Sequence, residues 1–243
     1  MILLYTDFGT SGPYVGQLHA VLAREAPGLP VIDLQHDAPR FDPKASAYLL
    51  AALAAEAPPG SVLLAVVDPG VGTARAPLAV QAGGLSFVGP DNGLLALVAR
   101  RAAPTSAWRI DWRPERLSPS FHGRDLFGPV AAMLARGRVP AATPLAPDSL
   151  VGADWPDTLA EVVYLDAYGN AMTGLRAAEL PAGTRLSVGG QRLAAAETFG
   201  GVAPGEAFWY ANSCGLAEIA VNQGSAAQHF GLRIGSPIGI EDA

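Results

Sequence analysis

Two periods alternate along the first two-thirds of the chain. Residues 2–6 form a short β-prone run that stops at Asp7, residues 30–34 form a second, and residues 62–67 form an unbroken apolar run that stops at Asp68. Short continuous apolar runs bounded by turn residues predict strands buried on both faces, as in parallel sheets. Between them, Val15, Leu18 and Leu22 within residues 14–25 line one face of a helix. Asp42-Pro43 supplies an N-cap and a first helical residue, and Ala45, Tyr48, Leu49, Ala52 and Leu53 then recur at i, i+3, i+4, i+7 and i+8, which predicts a helix with a wide apolar stripe. Residues 78–81 and 85–88 flank Gly83-Gly84 in the manner of a hairpin. Asp91-Asn92-Gly93 opens a short helix that ends on Arg100 and Arg101, cations placed at its negative end. Leu126, Phe127, Val130, Met133 and Leu134 mark another, stopped by Gly137. Strands alternating with helices predict an α/β N-terminal domain with a largely parallel, layered sheet over residues 1–142.

The texture changes near residue 140. Residues 143–160 are rich in Pro, Ala and Asp without a period and read as a linker. Beyond them, strand signals replace helix signals: residues 161–165 ending at Asp166, 185–188 and 191–193 around Gly189-Gly190, 207–211 and 216–221 around Asn212-Ser213-Cys214-Gly215, then 229–234 and 238–240. Short strands joined by Gly-rich turns predict an all-β, barrel-like C-terminal domain over residues 161–243.

Composition narrows the function classes. Half of the 243 residues are hydrophobic, enough for a sizeable core, and the net charge is -6. The arginines are spread rather than clustered, which argues against nucleic acid as a partner, because binding phosphates needs concentrated positive charge. Cys214 is the single cysteine, so no internal disulfide forms. No apolar run approaches the roughly 20 residues that span a bilayer, and residues 1–7 lack the pattern of a secretory signal. The expectation is a soluble cytoplasmic protein with no membrane partner.

Asp7, Asp68 and Asp166 each terminate an apolar strand. A lone aspartate there is ordinarily a turn or cap residue, but three in one structural position suggest a shared ligand. In open α/β sheets ligands bind beyond the carboxyl ends of strands, where an acid accepts the hydroxyls of a ribose. Gly70 and Gly72 do not match a phosphate-binding loop and instead shape the turn that carries Arg75. Arg75 and Arg124 each sit in a Gly-containing turn beside other polar groups. Of four histidines, His122 stands out: between Phe121 and Gly123, ahead of a helix, it is placed where a base faces a cleft. His19 and His229 read as structural, and His36 as ambiguous. No metal site is expected, since no His-x-x-x-His or Cys-x-x-Cys pair occurs, and no Gly-x-Ser-x-Gly supports a serine nucleophile. Asn170 and Asn212-Ser213 are turn residues by type, although an amide also reads a purine edge.

Taken in order, Thr6-Asp-Phe-Gly9, Asp68-Pro-Gly-Val-Gly-Thr with Arg75, Gly89-Pro-Asp-Asn-Gly-Leu94, Phe121-His-Gly-Arg-Asp125, Asp166-Ala-Tyr-Gly-Asn170 and Asn212-Ser213 with Gly215 resemble the S-adenosyl-L-methionine hydroxide adenosyltransferases, relatives of the fluorinases and chlorinases. The resemblance runs nearly end to end. It implies an α/β domain followed by a β-barrel, a homotrimer with active sites between neighbouring subunits, and cleavage of S-adenosylmethionine by water to adenosine and methionine without a cofactor. By the same resemblance Asp7 holds the ribose hydroxyls with Phe41 beside the ring; Asp68, Arg75 and His122 form the set that handles water; Asp166, Tyr168 and Asn170 contact methionine and adenine; and Ser213 lies near the methionine end. Cys214 departs from the halogenase pattern, where an arginine stands.

Two rivals follow. In a halogenase the halide needs a desolvated pocket without a fixed anion beside it, since like charges repel strongly at low dielectric. Asp68 stands where halogenases carry an uncharged residue and Val71 offers no hydroxyl, so hydrolysis is the stronger expectation. A non-catalytic sensor of adenosine or S-adenosylmethionine would have no use for an Asp-Arg-His set.

Overall fold

The computed structural model describes residues 1–241, so the last two residues of the expected C-terminal domain lie outside the described residues. The chain divides into two compact units, residues 1–155 and Pro156 onward.

The first unit is built on a seven-stranded sheet of order β2-β1-β3-β5-β4-β6-β7. Its strands are β1 (Ile2–Thr6), β2 (Val31–Gln35), β3 (Val62–Val66), β4 (Pro77–Ala82), β5 (Leu85–Pro90), β6 (Thr105–Ile110) and β7 (Ala142–Leu145). β1 pairs in parallel with β2 and β3, and β3 with β5; the remaining pairings, β5 with β4, β4 with β6 and β6 with β7, are antiparallel. The sheet is thus mixed, parallel in the half that carries Asp7 and Asp68. Every residue of β1 and β3 is buried, because helices cover both faces.

On one face, Ile2, Leu4, Leu64 and Val66 join a core with Leu18 and Leu22 of α1 (Tyr14–Glu25) and Val130 and Ala131 of α4 (Gly128–Ala135). On the other face, the Tyr5 hydroxyl donates to the carbonyl of Ser46 in α2 (Pro43–Ala54), at 3.0 Å, and α2 packs with α3 (Ala96–Arg101). The expected cap of α2 is present: the Asp42 carboxylate accepts from the Ala45 amide at 2.9 Å.

The stretch expected to be a linker is ordered structure in part. β7 occupies residues 142–145 at the sheet edge, and Asp91 accepts from the Val151 amide at 3.0 Å, tying the following loop to the first unit. A Pro- and Ala-rich edge strand carries no alternation to reveal it.

The second unit contains β8 (Leu159–Leu165), β9 (Ala171–Arg176), β10 (Arg185–Val188), β11 (Gln191–Leu193), β12 (Ala207–Ala211), β13 (Leu216–Val221), α5 (Ala226–Phe230) and β14 (Gly239–Glu241). Two antiparallel sheets, β11-β10-β14 and β12-β13-β9-β8, make up its body. Bridges between Glu161 and Pro237 and between Ala195 and Trp209 join their edges, so that the strands close on themselves around Leu186, Val188, Leu193, Ala217 and Ile219. This closure is the expected barrel-like form, which leaves few unpaired edges. One expected strand is corrected. Residues 229–234 are not extended; residues 226–230 are helix α5, capped by the Ser225 hydroxyl on the Gln228 amide and ended by left-handed Gly231. The cap at Ser225 and the glycine six residues on form a helix signature that the apolar alternation obscured.

Candidate active site

The turns that follow β1 and β3 carry the acids because the apolar runs end there. Beyond β3 the chain crosses Asp68 and turns back through Gly72 at φ +82°; a Cβ there would stand 2.9 Å from the carbonyl oxygen of Pro119. Glycine thus lets this turn seat directly against residues 118–122, the segment that delivers His122. Asn92 steadies the same place from behind, its side-chain amide donating to the Val67 carbonyl at 2.8 Å. By sequence Asn92 reads as a helix-opening residue; its contact just beyond β3 is tertiary and leaves no local signal.

Arg75 lies at the centre. Its Nε donates to both oxygens of Asp68 at 3.0 Å, and its Nη2 donates to Oδ2 of Asp68 as well. Nη2 also contacts Nδ1 of His122 at 3.0 Å, and the guanidinium stacks 5.0 Å from the centroid of Phe127. A guanidinium has no acceptor atom, so Nδ1 of His122 must be the acceptor and the proton of the neutral ring sits on Nε2. Burial first, and then the Arg75 charge, hold the His122 pKa below the usual histidine range, against the opposing pull of Asp68. The side chains of Asp68 and Arg75 are only 5% and 9% exposed, so this pair is shielded from water.

Asp68 and His122 border a cleft of ≈ 130 Å³ together with Asp7, Phe8, Phe41 and Phe121. Asp7 accepts from the Phe41 amide at 3.3 Å. Burial is the main cause that raises its pKa, and the Asp68 charge adds to it. Phe41 holds a left-handed φ of +58° and is 76% exposed. Strain of this kind clusters at ligand sites, which makes Phe41 a candidate ligand-facing residue. Phe8, Tyr14 and Phe121 meet edge to face at 5.3–6.2 Å and form the adjoining wall.

Arg124 does not join this group. It pairs with Asp125, donates to Gln17 at 2.7 Å and lies over Phe121, which makes it a brace for the π-helical turn at residues 123–127. His36 is buried against Thr6 at 2.7 Å, and His19 contacts Asp33; both are structural. Among the described residues no group of three or more His, Cys, Asp or Glu side chains is placed to hold a metal ion.

The other expected residues lie in the second unit. Asp166 accepts from the amides of Tyr168 and Asn170 at 2.9 and 2.8 Å and from the Asn170 side chain at 2.9 Å. Gly169 at φ +83° closes this turn against Ser225, whose hydroxyl would lie 2.0 Å from any Cβ. Asp166, Tyr168 and Asn170 line a cleft of ≈ 550 Å³ with Phe199, Tyr210 and Gln223. Tyr168 is 81% exposed. Ser213 sits apart on the β12–β13 turn, its hydroxyl 3.9 Å from Sγ of Cys214, and does not line that cleft.

Nothing in the local sequence singles out Glu218. It lies within the apolar strand β13 and is buried, accepting from the Asn212 side chain at 2.7 Å. Tyr210, opposite it on β12, hydrogen-bonds to the same carboxyl. Burial is the chief cause that raises the Glu218 pKa, and it raises that of Tyr210 as well. Asn212 in turn accepts from the amides of Cys214 and Leu216, both at 3.0 Å. Glu218 therefore ties one wall of the cleft, Tyr210, to the turn that carries Ser213.

Comparison with known proteins agrees with this layout. The family model of the SAM hydroxide adenosyltransferase N-terminal domain matches residues 2–143, and that of the C-terminal domain matches residues 160–239. An (R)-S-adenosyl-L-methionine hydrolase of Thermus thermophilus is 42% identical over 98% of both chains. One of Salinispora tropica is 41% identical over 97% of this chain and 95% of its own. A fluorinase of an Actinoplanes species is more distant, 23% identical over 56% of this chain. The crystal structure of an uncharacterized conserved protein from Thermotoga maritima superposes with a TM-score of 0.89 at 32% identity, covering 99% of this chain and 100% of its own. With both domain models matched in order on two units that carry acid-lined clefts, the chain belongs to the SAM hydroxide adenosyltransferase family.

Proposed function

We propose that this enzyme hydrolyses S-adenosyl-L-methionine to adenosine and L-methionine, with water attacking C5′ of the ribose in line with the departing sulfur. The observation that carries the reading is the shielded Asp68–Arg75–His122 set at the edge of a cleft that also presents Asp7 and Phe41. The names of the relatives specify the (R) form of the substrate, and we extend that preference to this chain.

The leaving group is a neutral thioether, so it needs no general acid. The demand is to hold one water about 3 Å from C5′ and to receive its proton as the C–O bond forms. Each oxygen of a carboxylate has about two acceptor sites, so Asp68 retains capacity for a water after accepting from Arg75. Nε2–H of His122 donates to that water and orients it; with Nδ1 engaged by Arg75, the ring is not the base. Asp68 takes the proton, and its negative charge also favours the sulfonium substrate. Asp7 accepts from the ribose hydroxyls, and Phe41 packs beside the ring. No metal or organic cofactor enters these steps, because neither the leaving group nor the nucleophile requires one.

In this reading Asp166, Tyr168 and Asn170 grip adenine and methionine, and Ser213 lies near the methionine end. They act from a neighbouring subunit of a homotrimer, so that each site is completed between chains. The small-molecule substrate, the absence of a nucleic-acid or membrane partner and a cytoplasmic setting complete the proposal. Asp68 also weighs against a halogenase, since a halide beside it would face a fixed anion in a shielded site. Incubating the pure protein with S-adenosylmethionine, with and without chloride, and identifying nucleosides by mass tests the reading. Adenosine in both is expected; 5′-chloro-5′-deoxyadenosine as the main nucleoside would replace it with the halogenase.

A further inference from the structure

We infer that the cleft on the far side of the Asp68–Arg75 pair is a regulatory anion site that takes a small oxyanion such as inorganic phosphate. The two members of that pair face different spaces. Asp68 lines the substrate cleft and Arg75 does not; Arg75 lines a second cleft of ≈ 340 Å³ and Asp68 does not; His122 borders both. The second cleft adds Arg109 and Arg113, with Leu117 and Leu126 as its apolar side. Three guanidiniums and an imidazole thus converge in a chain whose net charge is -6.

Two of the three cations are already paired. Arg75 is matched by Asp68, and Arg109 donates to Asp111 at 2.9 Å. Arg113 makes no ion pair among the described residues. Its Nη1 donates to the carbonyls of Ile110 and Trp112 at 2.8 and 2.9 Å, which fixes the guanidinium, and the Asp111 carboxylate that feels its charge is hydrogen-bonded to Arg109 instead. A planar, pre-set guanidinium beside further N–H donors is the arrangement that binds oxyanions.

Occupancy would reach the chemistry through His122. The charged groups that act on its ring are Arg75, Asp68, Arg113 and Asp125. Arg75 and Arg113 disfavour the imidazolium, whereas Asp68 and Asp125 favour it. An anion on Arg113 cancels one of the two opposing cations, so the ring protonates at higher pH. Protonated Nδ1 can no longer accept from Arg75, and the orienting tautomer is lost. Phosphate should therefore slow the enzyme at mildly acidic pH and not at alkaline pH, without competing for the substrate cleft.

The test does not depend on turnover, so its failure is separable from failure of the hydrolase reading. Phosphate is titrated calorimetrically into wild-type protein and into Arg113→Ala and Arg109→Ala, and the His122 ring is followed by NMR through a pH titration with and without phosphate. Binding to wild type is expected, weakened at least about tenfold in Arg113→Ala and reduced also in Arg109→Ala. Phosphate should move the His122 titration upward in wild type but not in Arg113→Ala, which should already titrate higher than wild type without phosphate. Absence of phosphate binding to wild type, binding by both variants as tight as that of wild type, or a His122 titration indifferent to phosphate would each overturn the inference.

Discussion

Arg75 donates to Nδ1 of His122 across 3.0 Å, and this one contact decides the role of the imidazole. The nitrogen that would serve as a base is occupied by a group that never gives up its charge. The other nitrogen keeps its proton, and in the proposed reaction it is the donor to water. Arg75 fixes both Asp68 and His122, and in the proposed reaction Asp68 is left to accept the proton of water.

Replacing Asp68 with Asn tests that division of labour. The amide keeps the size of the side chain but loses the negative charge and an acceptor. Turnover should fall about a hundredfold or more, the usual scale for a lost general base. Affinity for adenosine should stay within about an order of magnitude, because the interaction acts in the transition state. Steady-state kinetics with calorimetry on adenosine separates the two; a variant as fast as wild type would remove Asp68 from the chemistry.

The pH profile should carry the signature of His122. Burial and Arg75 lower its pKa, and the working form is neutral, so the rate should rise with pH through a value below the ordinary histidine pKa of about 6.5 and then level off. His122→Asn offers Arg75 an acceptor oxygen and the cleft a donor N–H. This variant should keep activity within about tenfold of wild type and lose the acid limb, whereas removal of a general base would cost about 10²–10⁴. A loss on that larger scale would return the base role to the histidine.

The acid ends of the strands were legible because each interrupts an apolar run: Asp7 after β1, Asp68 after β3, Asp166 after β8. Most helices and the two Gly-Gly hairpins were legible for the same local reasons of period and turn chemistry. Glu218 was not, since one acid within Leu216–Val221 reads as a solvent-facing position of an alternating strand, and only the paired neighbours show that the barrel buries it. The donation from Arg75 to His122 likewise spans 47 positions. Sequence spacing nominates both residues but does not say which nitrogen is used. β6 and β7 escaped notice because their pairing, not their pattern, makes them strands.

Glu218 gives a prediction of its own. Glu218→Gln keeps the shape of the side chain but turns one acceptor into a donor, which disrupts the bonds from Asn212 and Tyr210. Tyr210 lines the C-terminal cleft, so the effect should fall on substrate affinity: KM should rise about tenfold while kcat changes less than about threefold, the pattern of lost uniform binding. An equal fall in kcat with KM unchanged would place Glu218 in the chemical step instead.

In the proposed reaction water attacks C5′ of S-adenosylmethionine. Turnover in ¹⁸O-enriched water, with products identified by mass spectrometry, tests it most directly. The expected products are unlabelled methionine and adenosine heavier by two mass units, with the heavy oxygen at the 5′ position. Formation of 5′-methylthioadenosine with labelled homoserine, of S-adenosylhomocysteine, or of adenosine without the heavy oxygen would contradict it.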